Sequence, residues 1–487
     1  MLDRVPPAGP SRRVLLRSAL VAGVAAGTAG IPAASAERFP EGRLSRPTVA
    51  RLGDSITQFA EYARPAGPAR LSRRARGAMT WVKTLFPAFN DDTWLHPGDL
   101  RQNRSMRGSN NGVAGDHLAY LTPENPGTLH RWEHEVAPMR PRVVLLSVGT
   151  NDINSFNPAS AVRRDLRRQI SAIRAAGAIP IVTTVRPRGA VGRGAWTMPD
   201  QESDPRYQVR RQINDWVRAQ GGGRVLVADV NAYLEDPDSR GGAGGDWLPG
   251  LTPPDGVHPG PAAAWAEAHA LLPILRTLIA DANVYETDPL APGNLLPNGA
   301  FIGGDSGLVG WGVEGYCATG WAIARRTGDA RMRAHVTVEN GVATQVLEIL
   351  PGHHDTTFLL RTAPGLLPLT DVEDGSWLRF HLHQEVSAHP GWLSYNPRLL
   401  LASADGVWTM LAGALETGAG ERLPSAAWSG WPATHPVRKT PEDVAVSCSV
   451  QITVAGGVPG TPVLRLSRAQ LRLVPDPRPA WHVADSP

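Results

Sequence analysis

Short apolar runs alternate with amphipathic segments between Pro47 and Ala282, and this alternation constrains the fold more than any other feature. The run Arg142–Val148 (RVVLLSV) is apolar and β-branched without polar alternation, which predicts a parallel strand covered on both faces. Strands that alternate with helices predict a doubly wound α/β sheet. The other predicted strands are Thr48–Leu52, Ile179–Val185 and Val225–Val230, and the predicted helices are Ala161–Ala176, Tyr207–Arg218 and Ala262–Ala280.

The texture of the sequence changes after Ala282. Residues 283–293 are polar and contain proline, which is typical of a linker. Beyond them, short apolar runs are separated by Gly, Pro, Asp and Ser, a pattern that predicts an antiparallel β-sandwich. The predicted strands are Ala343–Ile349, Trp377–Leu382, Arg398–Ala402, Val444–Val454 and Val463–Leu466.

The first 36 residues have the pattern of an export signal. Arg12 and Arg13 precede an apolar run from Ala19 to Ile31, and residues 34–36 (Ala-Ser-Ala) offer a small-residue cleavage site. Adjacent arginines in this setting resemble a twin-arginine (Tat) signal. We expect export to the periplasm or beyond and cleavage after Ala36, with an uncleaved N-terminal anchor as the alternative. Because no later run approaches about 20 apolar residues, we expect no stable membrane insertion after cleavage.

Charge and cysteine content exclude several classes of protein. The formal net charge is +4, and most of it lies in the first 36 residues, so no basic stripe predicts a nucleic-acid partner. Two cysteines are too few for a disulfide framework or a cysteine-built zinc site. Cys317 and Cys448 both lie in the predicted sandwich, and their separation in sequence leaves a disulfide between them open.

Two segments place candidate catalytic side chains after predicted strands. Ser55, in GDSIT, follows the first strand, at the edge where open α/β sheets bind ligands. Asn151, in GTND, follows the RVVLLSV strand and offers an uncharged amide that can stabilise developing negative charge. A plain role in helix capping is the alternative for each.

Two further segments complete the set. In NNGVAGD, Gly115 can turn its backbone N–H toward a substrate, with Gly112 as the alternative. In DGVHP, Asp255 lies three residues before His258, so its carboxylate can accept the imidazole N–H and leave the other ring nitrogen free as a base.

Together and in this order, GDSIT, NNGVAGD, GTND and DGVHP resemble the SGNH (GDSL-type) hydrolase family over residues 47–282. The resemblance implies a flavodoxin-like three-layer α/β fold and hydrolysis or transfer of acyl groups from esters, without a metal or other cofactor. It also implies a catalytic triad of Ser55, Asp255 and His258 and an oxyanion hole formed by Ser55, Gly115 and Asn151.

A second serine motif, Gly304–Gly307 (GDSG), is similar to the nucleophile segment of chymotrypsin-like proteases. The motif is followed by Leu308 and Val309 rather than by a second glycine, and the upstream chain offers no matching His and Asp in a β-barrel pattern. We therefore do not expect Ser306 to act as a nucleophile.

The downstream region opens with NLLPNGAF at residues 294–301, followed by Gly310-Trp311. This opening resembles that of galactose-binding-type, jelly-roll carbohydrate-binding modules. Eight of the 15 tryptophans lie after residue 293. We expect most of them in the sandwich core and one or two available to stack on sugar rings.

The sequence thus predicts an exported serine esterase that removes acyl groups, most simply acetyl groups, from a small molecule or a polysaccharide. A lipase, thioesterase or O-acyltransferase with the same triad is the enzymatic alternative, and a non-catalytic glycan-binding protein is the other. The oligomeric state stays open. Three loops, 59–77, 187–205 and 236–254, are predicted to form the rim of the site. The predicted divisions are a signal peptide at 1–36, a catalytic domain at 37–282, a linker at 283–293 and a sandwich at 294–487.

Overall fold

A five-stranded parallel sheet lies at the centre of the first region in the computed structural model of the chain. The structure describes residues 49–477 except 67–68, 76, 90–92, 95–106, 109, 120, 123–124, 190–195, 197–203, 240–243, 281–282, 305, 364, 405–407 and 413–420. The predicted signal peptide lies outside the described residues. None of the described helices is long and apolar enough to cross a membrane.

Strands and helices alternate through residues 49–279. The strands are β1 (Val49–Gly53), β2 (Glu61–Ala66), β3 (Ala69–Ala75), β4 (Thr93–Trp94), β5 (Arg107–Gly108), β6 (Asn110–Gly112), β7 (Val143–Ser147), β8 (Ile179–Thr183), β9 (Leu226–Ala228), β10 (Glu235–Asp236) and β11 (Asp246–Trp247). The α-helices are α1 (Ser55–Ala60), α2 (Ala78–Leu85), α3 (Thr128–Arg131), α4 (Thr150–Asn154), α5 (Ala159–Ala175), α6 (Pro205–Ala219), α7 (Asn231–Leu234) and α8 (Pro261–Leu278). After α3 the chain continues through a π-helical turn (Trp132–Val136) and a 3₁₀ turn (Ala137–Met139).

The parallel sheet has the strand order β6-β1-β7-β8-β9, which is the flavodoxin-like order. Every residue of β1, β7 and β8 is buried, as the unbroken apolar runs predict for strands with helices on both faces. On one face, Leu52 and Val144 join a core with Ile170 of α5 and Ile213 of α6. α2 and α8 contact each other. The predicted three-layer α/β fold is confirmed.

The second region is a β-sandwich, as predicted. Its strands are β12 (Leu308–Val309), β13 (Val313–Gly315), β14 (Trp321–Thr327), β15 (Arg331–Glu339), β16 (Val342–Leu350), β17 (Thr356–Thr362), β18 (Leu367–Pro368), β19 (Trp377–Val386), β20 (Trp392–Ser403), β21 (Trp408–Ala412), β22 (Trp428–Gly430), β23 (Val437–Arg438), β24 (Asp443–Val454) and β25 (Val463–Val474). One sheet has the order β12-β14-β17-β24-β20-β21-β3-β2, with β18 beside β24. The other has the order β13-β15-β16-β25-β19-β22, with β23 beside β19.

The stretch 59–77, predicted as a rim loop, is instead mostly regular structure. α1 continues to Ala60, and β2 and β3 then form an antiparallel hairpin. β3 pairs in parallel with β21, so a hairpin of the first region extends a sheet of the second. The prediction was wrong because the Arg- and Ala-rich stretch lacks apolar alternation, and its strand partner lies more than 300 residues away in the chain.

Contacts beyond this strand pair join the two regions into one compact unit. The indole of Trp81 in α2 packs edge-on against Trp428 in β22, with ring centroids 5.5 Å apart. The Trp431 N–H donates to the Thr84 carbonyl at 2.8 Å, and the Ala262 N–H donates to the Arg422 carbonyl at 3.0 Å. The division of the chain at residues 283–293 therefore stays a prediction.

The predicted linker is held to the sandwich by side chains. Gln470 donates to the Glu286 carbonyl at 2.6 Å, and a ring nitrogen of His381 lies 3.2 Å from the same oxygen. His381 is 1% exposed, and burial lowers its pKa to about 3, so the ring is neutral at physiological pH. This segment is thus anchored to the protein surface rather than a free tether.

Both cysteines are buried free thiols. The Cys317 thiol lies 3.2 Å from the Leu308 carbonyl and 3.2 Å from the Trp321 carbonyl, as a donor to both. Burial raises the pKa of Cys448 well above its usual value. The structure therefore holds the two residues as unpaired thiols, and the question that the sequence left open is answered against a disulfide.

Truncation after residue 291 should destabilise the first region. It removes the neighbours of Trp81 and the strand that pairs with β3, which exposes apolar surface and an unpaired strand edge. We expect a lower melting temperature and aggregation, measured by thermal unfolding and size-exclusion chromatography. A truncated chain that stays monomeric with an unchanged melting temperature would contradict this expectation.

Candidate active site

Ser55, His258 and Asp255 form a continuous hydrogen-bonded chain. Ser55 is the first residue of α1, directly after β1, and His258 lies in the loop before α8. The Ser55 Oγ is 2.8 Å from His258 Nε2, and His258 Nδ1 is 2.5 Å from Asp255 Oδ2. The structure thus places Ser55 beside a His–Asp pair that is about 200 positions away in the sequence, in the order that nucleophilic catalysis requires.

The surroundings of Asp255 keep it ionised. Burial alone would raise the pKa of this carboxyl group, but hydrogen bonds from the His258 ring and from the backbone N–H groups of His258 and Val257 hold its pKa well below the usual value. The two backbone bonds to Oδ1 are each 2.9 Å long. An ionised Asp255 favours the His258 tautomer with the proton on Nδ1, which leaves the lone pair of Nε2 facing Ser55.

Asp54, not Ser55, caps the helix that carries the candidate nucleophile. The Asp54 Oδ1 accepts the Ile56 N–H at 2.9 Å, and the Asp54 carbonyl accepts the Gln58 N–H at 3.0 Å. Burial raises the pKa of Asp54, while the Ile56 N–H and the nearby Arg186 lower it. The cap of this helix is therefore Asp54, and the Ser55 hydroxyl is left for His258.

Asn151 is likewise not a cap for its helix. Its Nδ2 donates to the Asp116 carbonyl at 2.9 Å, and no side chain caps α4 at Gly149. Because an amide nitrogen carries two protons, this bond orients the group and leaves one N–H for another acceptor.

The structure separates the roles of the two candidate glycines. A Cβ at Gly112 would lie 2.2 Å from the backbone nitrogen of Gln58, so Gly112 is required for the close approach of β6 to α1. Gly115 is exposed, has a φ of 77° and directly precedes Asp116, whose carbonyl holds Asn151. Gly115, rather than Gly112, therefore stays the candidate for a backbone N–H donor.

Comparison with known proteins bears on residues 52–266. The family model of GDSL-like lipases/acylhydrolases matches this segment, which contains all the residues of the site. The segment is therefore similar to GDSL-like lipases/acylhydrolases. This family supports ester hydrolysis as the enzymatic activity. The search of curated proteins found no match to the chain.

Three solved structures illustrate the likeness of this GDSL-like segment. A member of the lipolytic G-D-S-L family from Veillonella parvula is 18% identical, with 47% of this chain and 97% of that chain covered and a TM-score of 0.31. A GDSL-like lipase from Bacteroides thetaiotaomicron is 15% identical, with 49% and 91% covered and a TM-score of 0.31. An acetyl-xylooligosaccharide esterase mutant from Geobacillus is 20% identical, with 48% and 95% covered and a TM-score of 0.30.

Arg131 connects the segment that contains Ser55 with the segment that contains Gly115, and the motifs in the sequence did not predict this role. Its Nε donates to Asp116 Oδ2 at 2.7 Å, and its terminal nitrogens donate to the carbonyls of Asn111 at 2.6 Å and Gly53 at 2.8 Å. Both side chains of the ion pair are completely buried. One guanidinium therefore holds the end of the nucleophile strand and the loop with Gly115 in fixed positions. No signal in the sequence distinguishes this arginine, because residues 128–136 (TLHRWEHEV) are rich in polar and charged side chains.

A second buried ion pair supports the site from the side of α8. Arg186 donates to both carboxylate oxygens of Glu267, at 2.5 and 2.7 Å, and to the Ser147 hydroxyl at 2.8 Å. This bidentate pair joins the end of β7 to the helix that follows His258. A pocket of about 50 Å³ lies beside it and is lined in part by His258, Phe59 and Arg186.

Aromatic and cationic side chains surround the mouth of the site. The Phe59 ring lies edge-on to the His258 ring, with centroids 5.2 Å apart. Arg188 donates to Thr150 and Asn154, and burial lowers its pKa to about 10. The guanidinium of Arg206 lies 4.7 Å from the centroid of the exposed Phe156 ring. The arginines predicted at the rim between residues 64 and 76 have side chains outside the described residues.

Among the described residues, Ser306 is not part of a chain of hydrogen bonds like that of Ser55, His258 and Asp255. Its hydroxyl pairs with the Thr319 hydroxyl at 2.6 Å on the exposed surface of the sandwich. Asp305 lies outside the described residues. The hydroxyl has a threonine as its partner where a protease nucleophile has an imidazole, in agreement with the expectation that Ser306 is not a nucleophile.

Replacement of Arg131 by methionine should lower the free energy of unfolding by about 3–5 kcal/mol, because it leaves the Asp116 carboxylate buried without its charge partner. Arg131→Met combined with Asp116→Asn should recover part of this loss. Urea unfolding measures both. Arg218→Met, which breaks a partly exposed pair with Asp229, is the matched control and should cost below about 1 kcal/mol. An equal cost for Arg131→Met and the control would contradict the central role of Arg131.

Proposed function

We propose that the protein is an exported serine esterase that removes short acyl groups, above all acetyl groups, from carbohydrate. The observation that carries the proposal is the chain from Ser55 Oγ to His258 Nε2 at 2.8 Å and from His258 Nδ1 to Asp255 at 2.5 Å. This geometry supports activation of a serine hydroxyl by a neutral imidazole.

In the proposed reaction, the Ser55 oxygen attacks the ester carbonyl carbon while its proton passes to His258 Nε2. The ionised Asp255 stabilises the imidazolium that forms. As the tetrahedral intermediate collapses, the imidazolium gives its proton to the leaving alcohol, and an acyl-serine remains. Water then loses a proton to His258 and attacks the acyl carbonyl, which releases the acid and restores Ser55.

The backbone N–H groups of Ser55 and Gly115 and the side-chain amide of Asn151 are the proposed oxyanion donors. Ser55 is at the N-terminus of α1, where backbone N–H groups have no partner within the helix. Asn151 is oriented by its bond to the Asp116 carbonyl. Donors held in place before the reaction stabilise the developing charge without reorganisation at the moment of attack.

The pocket beside His258 does not define the acyl site. Its wall includes Phe59 and Met79 but neither Ser55 nor the proposed oxyanion donors. The choice of acetyl over long-chain acyl groups, and therefore of an esterase over a lipase, is the simplest form of the proposal, and a series of esters of increasing chain length tests it.

The carbohydrate part of the proposal rests on the second region. NLLPNGAF followed by Gly-Trp resembles the opening of carbohydrate-binding modules, and the chain there is a β-sandwich. Export rests on residues 1–36, whose paired arginines, apolar run and small-residue site resemble a Tat signal.

Ser55→Ala should abolish hydrolysis of aryl acetates and leave the melting temperature close to that of wild type, because it removes only the attacking oxygen. A serine-directed fluorophosphonate should label wild type once, at Ser55, as located by peptide mass spectrometry. Ser306→Ala is the matched control and should keep full activity and full labelling. Label on Ser306, or activity retained in Ser55→Ala, would overturn the proposed nucleophile.

Acetyl preference should appear as a fall in kcat/KM along p-nitrophenyl acetate, butyrate and octanoate, because the acetyl group needs the least space beside Ser55. Acetylated xylan should release acetate, detected in a coupled assay, and Ser55→Ala is the blank. A preference for octanoate would favour the lipase alternative, and acyl transfer to an added alcohol in place of acetate release would favour an O-acyltransferase.

Arg12→Lys combined with Arg13→Lys should keep the full-length chain inside the cell, because Tat signals depend on the arginine pair. Immunoblots of cell fractions measure the location and the size of the processed chain. Arg17→Lys, which changes an arginine outside the pair, is the matched control and should leave export unchanged. Equal export of the two variants would exclude the Tat route.

A further inference from the structure

Trp311 differs from the other described tryptophans of the sandwich. Five of them are at most 8% exposed, whereas Trp311 is 68% exposed. The buried ones are Trp321, Trp377, Trp392, Trp428 and Trp431. The side chain of Trp408 and all of Trp481 lie outside the described residues. Exposure of so large an apolar side chain has a cost in water, so this position calls for an explanation.

Arg325 holds the Trp311 ring in place. The guanidinium carbon of Arg325 lies 3.7 Å from the centroid of the indole, close enough for a direct cation–π contact. One terminal nitrogen of Arg325 donates to the Ala330 carbonyl at 2.9 Å, and the backbone N–H of Arg325 donates to the Trp311 carbonyl at 3.0 Å. The arginine is therefore anchored at both ends, and it covers one face of an indole that is otherwise largely exposed.

Two further exposed apolar residues precede Trp311 in the chain. Leu308 and Val309, which form β12, are 64% and 40% exposed. Protein interfaces bury about 800 Å² on each partner, whereas an aromatic side chain supplies about 150–250 Å². An exposed indole is thus too small for a stable protein partner, but it matches the apolar face of a sugar ring.

The position of β12 separates these exposed residues from the catalytic region. β12 is at one end of its sheet, and β3, whose hairpin partner β2 continues from the helix of Ser55, is near the other end. Six strand-to-strand steps of about 4.8 Å place the two roughly 29 Å apart. A ligand on Trp311 therefore lies far from the ester that reacts.

We propose that Trp311, backed by Arg325, is a sugar-stacking platform that anchors a polysaccharide chain remote from Ser55. The inference rests on the proposed function for the class of substrate. An indole that is already fixed by its arginine loses little conformational entropy when a sugar ring stacks on its free face. Attachment of the polymer at this platform raises the concentration of its esters near the catalytic region.

The test measures retention on insoluble acetylated xylan and on cellulose, with every variant also carrying Ser55→Ala so that the polymer is not consumed. Trp311→Ala should weaken binding to acetylated xylan about tenfold or more. Trp311→Phe should keep part of the binding. The binding of Arg325→Met should be intermediate between those of Trp311→Ala and Trp311→Phe. Leu290→Ala, which removes another exposed apolar side chain (71% exposed), is the matched control. Thermal unfolding checks that each variant is folded.

Binding of Trp311→Ala equal to that of the control on both polymers would overturn the platform. Retention that disappears at high salt in the chain with Trp311 intact would also overturn it, because stacking on an indole is not screened whereas arginine–anion contacts are. With Ser55 intact, Trp311→Ala should hydrolyse p-nitrophenyl acetate at the wild-type rate and lose rate only on the polymer. If the wild-type chain does not hydrolyse aryl acetates, the proposed esterase function fails, and this outcome is distinct from failure of the platform.

Discussion

The buried contact between Arg131 and Asp116 is the interaction on which the geometry of the site depends. A guanidinium with no exposure forms a close ion pair with Asp116, a longer one with Glu135 at 4.0 Å, and hydrogen bonds to the carbonyls of Gly53 and Asn111. Gly53 is two residues before Ser55, and Asp116 is one residue after Gly115. Because a buried arginine is tolerated only when its donors have partners, any shift of either loop would leave a charged group unpaired. The energetic penalty of an unpaired buried charge keeps the proposed nucleophile and the proposed oxyanion donors in fixed positions relative to each other.

The same principle of local fixation is repeated around the site with different groups. Asp54 caps α1 and leaves the Ser55 hydroxyl to His258, while the Asp116 carbonyl orients the Asn151 amide. Asp255 is held by two backbone N–H groups and in turn holds the imidazole. Each reactive group is thus positioned by a neighbour that the reaction does not consume, which is the condition for electrostatic preorganisation.

The sequence predicted those parts of the fold that depend on local patterns of residues. Unbroken apolar runs predicted β1, β7, β8 and β9, and short motifs at their carboxyl ends predicted Ser55 and Asn151, because the ends of parallel strands meet at one edge of the sheet. β6 was missed, since Asn110-Asn111-Gly112 is polar and is a strand only because Gly112 lets it lie against α1. Arg131 was missed for a related reason. Its structural role depends on three partners in other segments, and no spacing in the sequence predicts those contacts.

The hairpin β2–β3 shows how the two regions depend on each other. The chain passes from the helix of Ser55 directly into β2, and β3 then pairs with β21, so the nucleophile helix and the large sheet of the sandwich are joined through continuous backbone. A tethered module needs only a linker, and the segment at 283–293 could have served as one; the molecule instead adds a strand pair, the Trp81–Trp428 contact and two interregional backbone bonds. The position of α1 is therefore coupled to the stability of the sandwich. A substitution in the sandwich core should reach the site through α1, whereas a substitution at its exposed far edge should not.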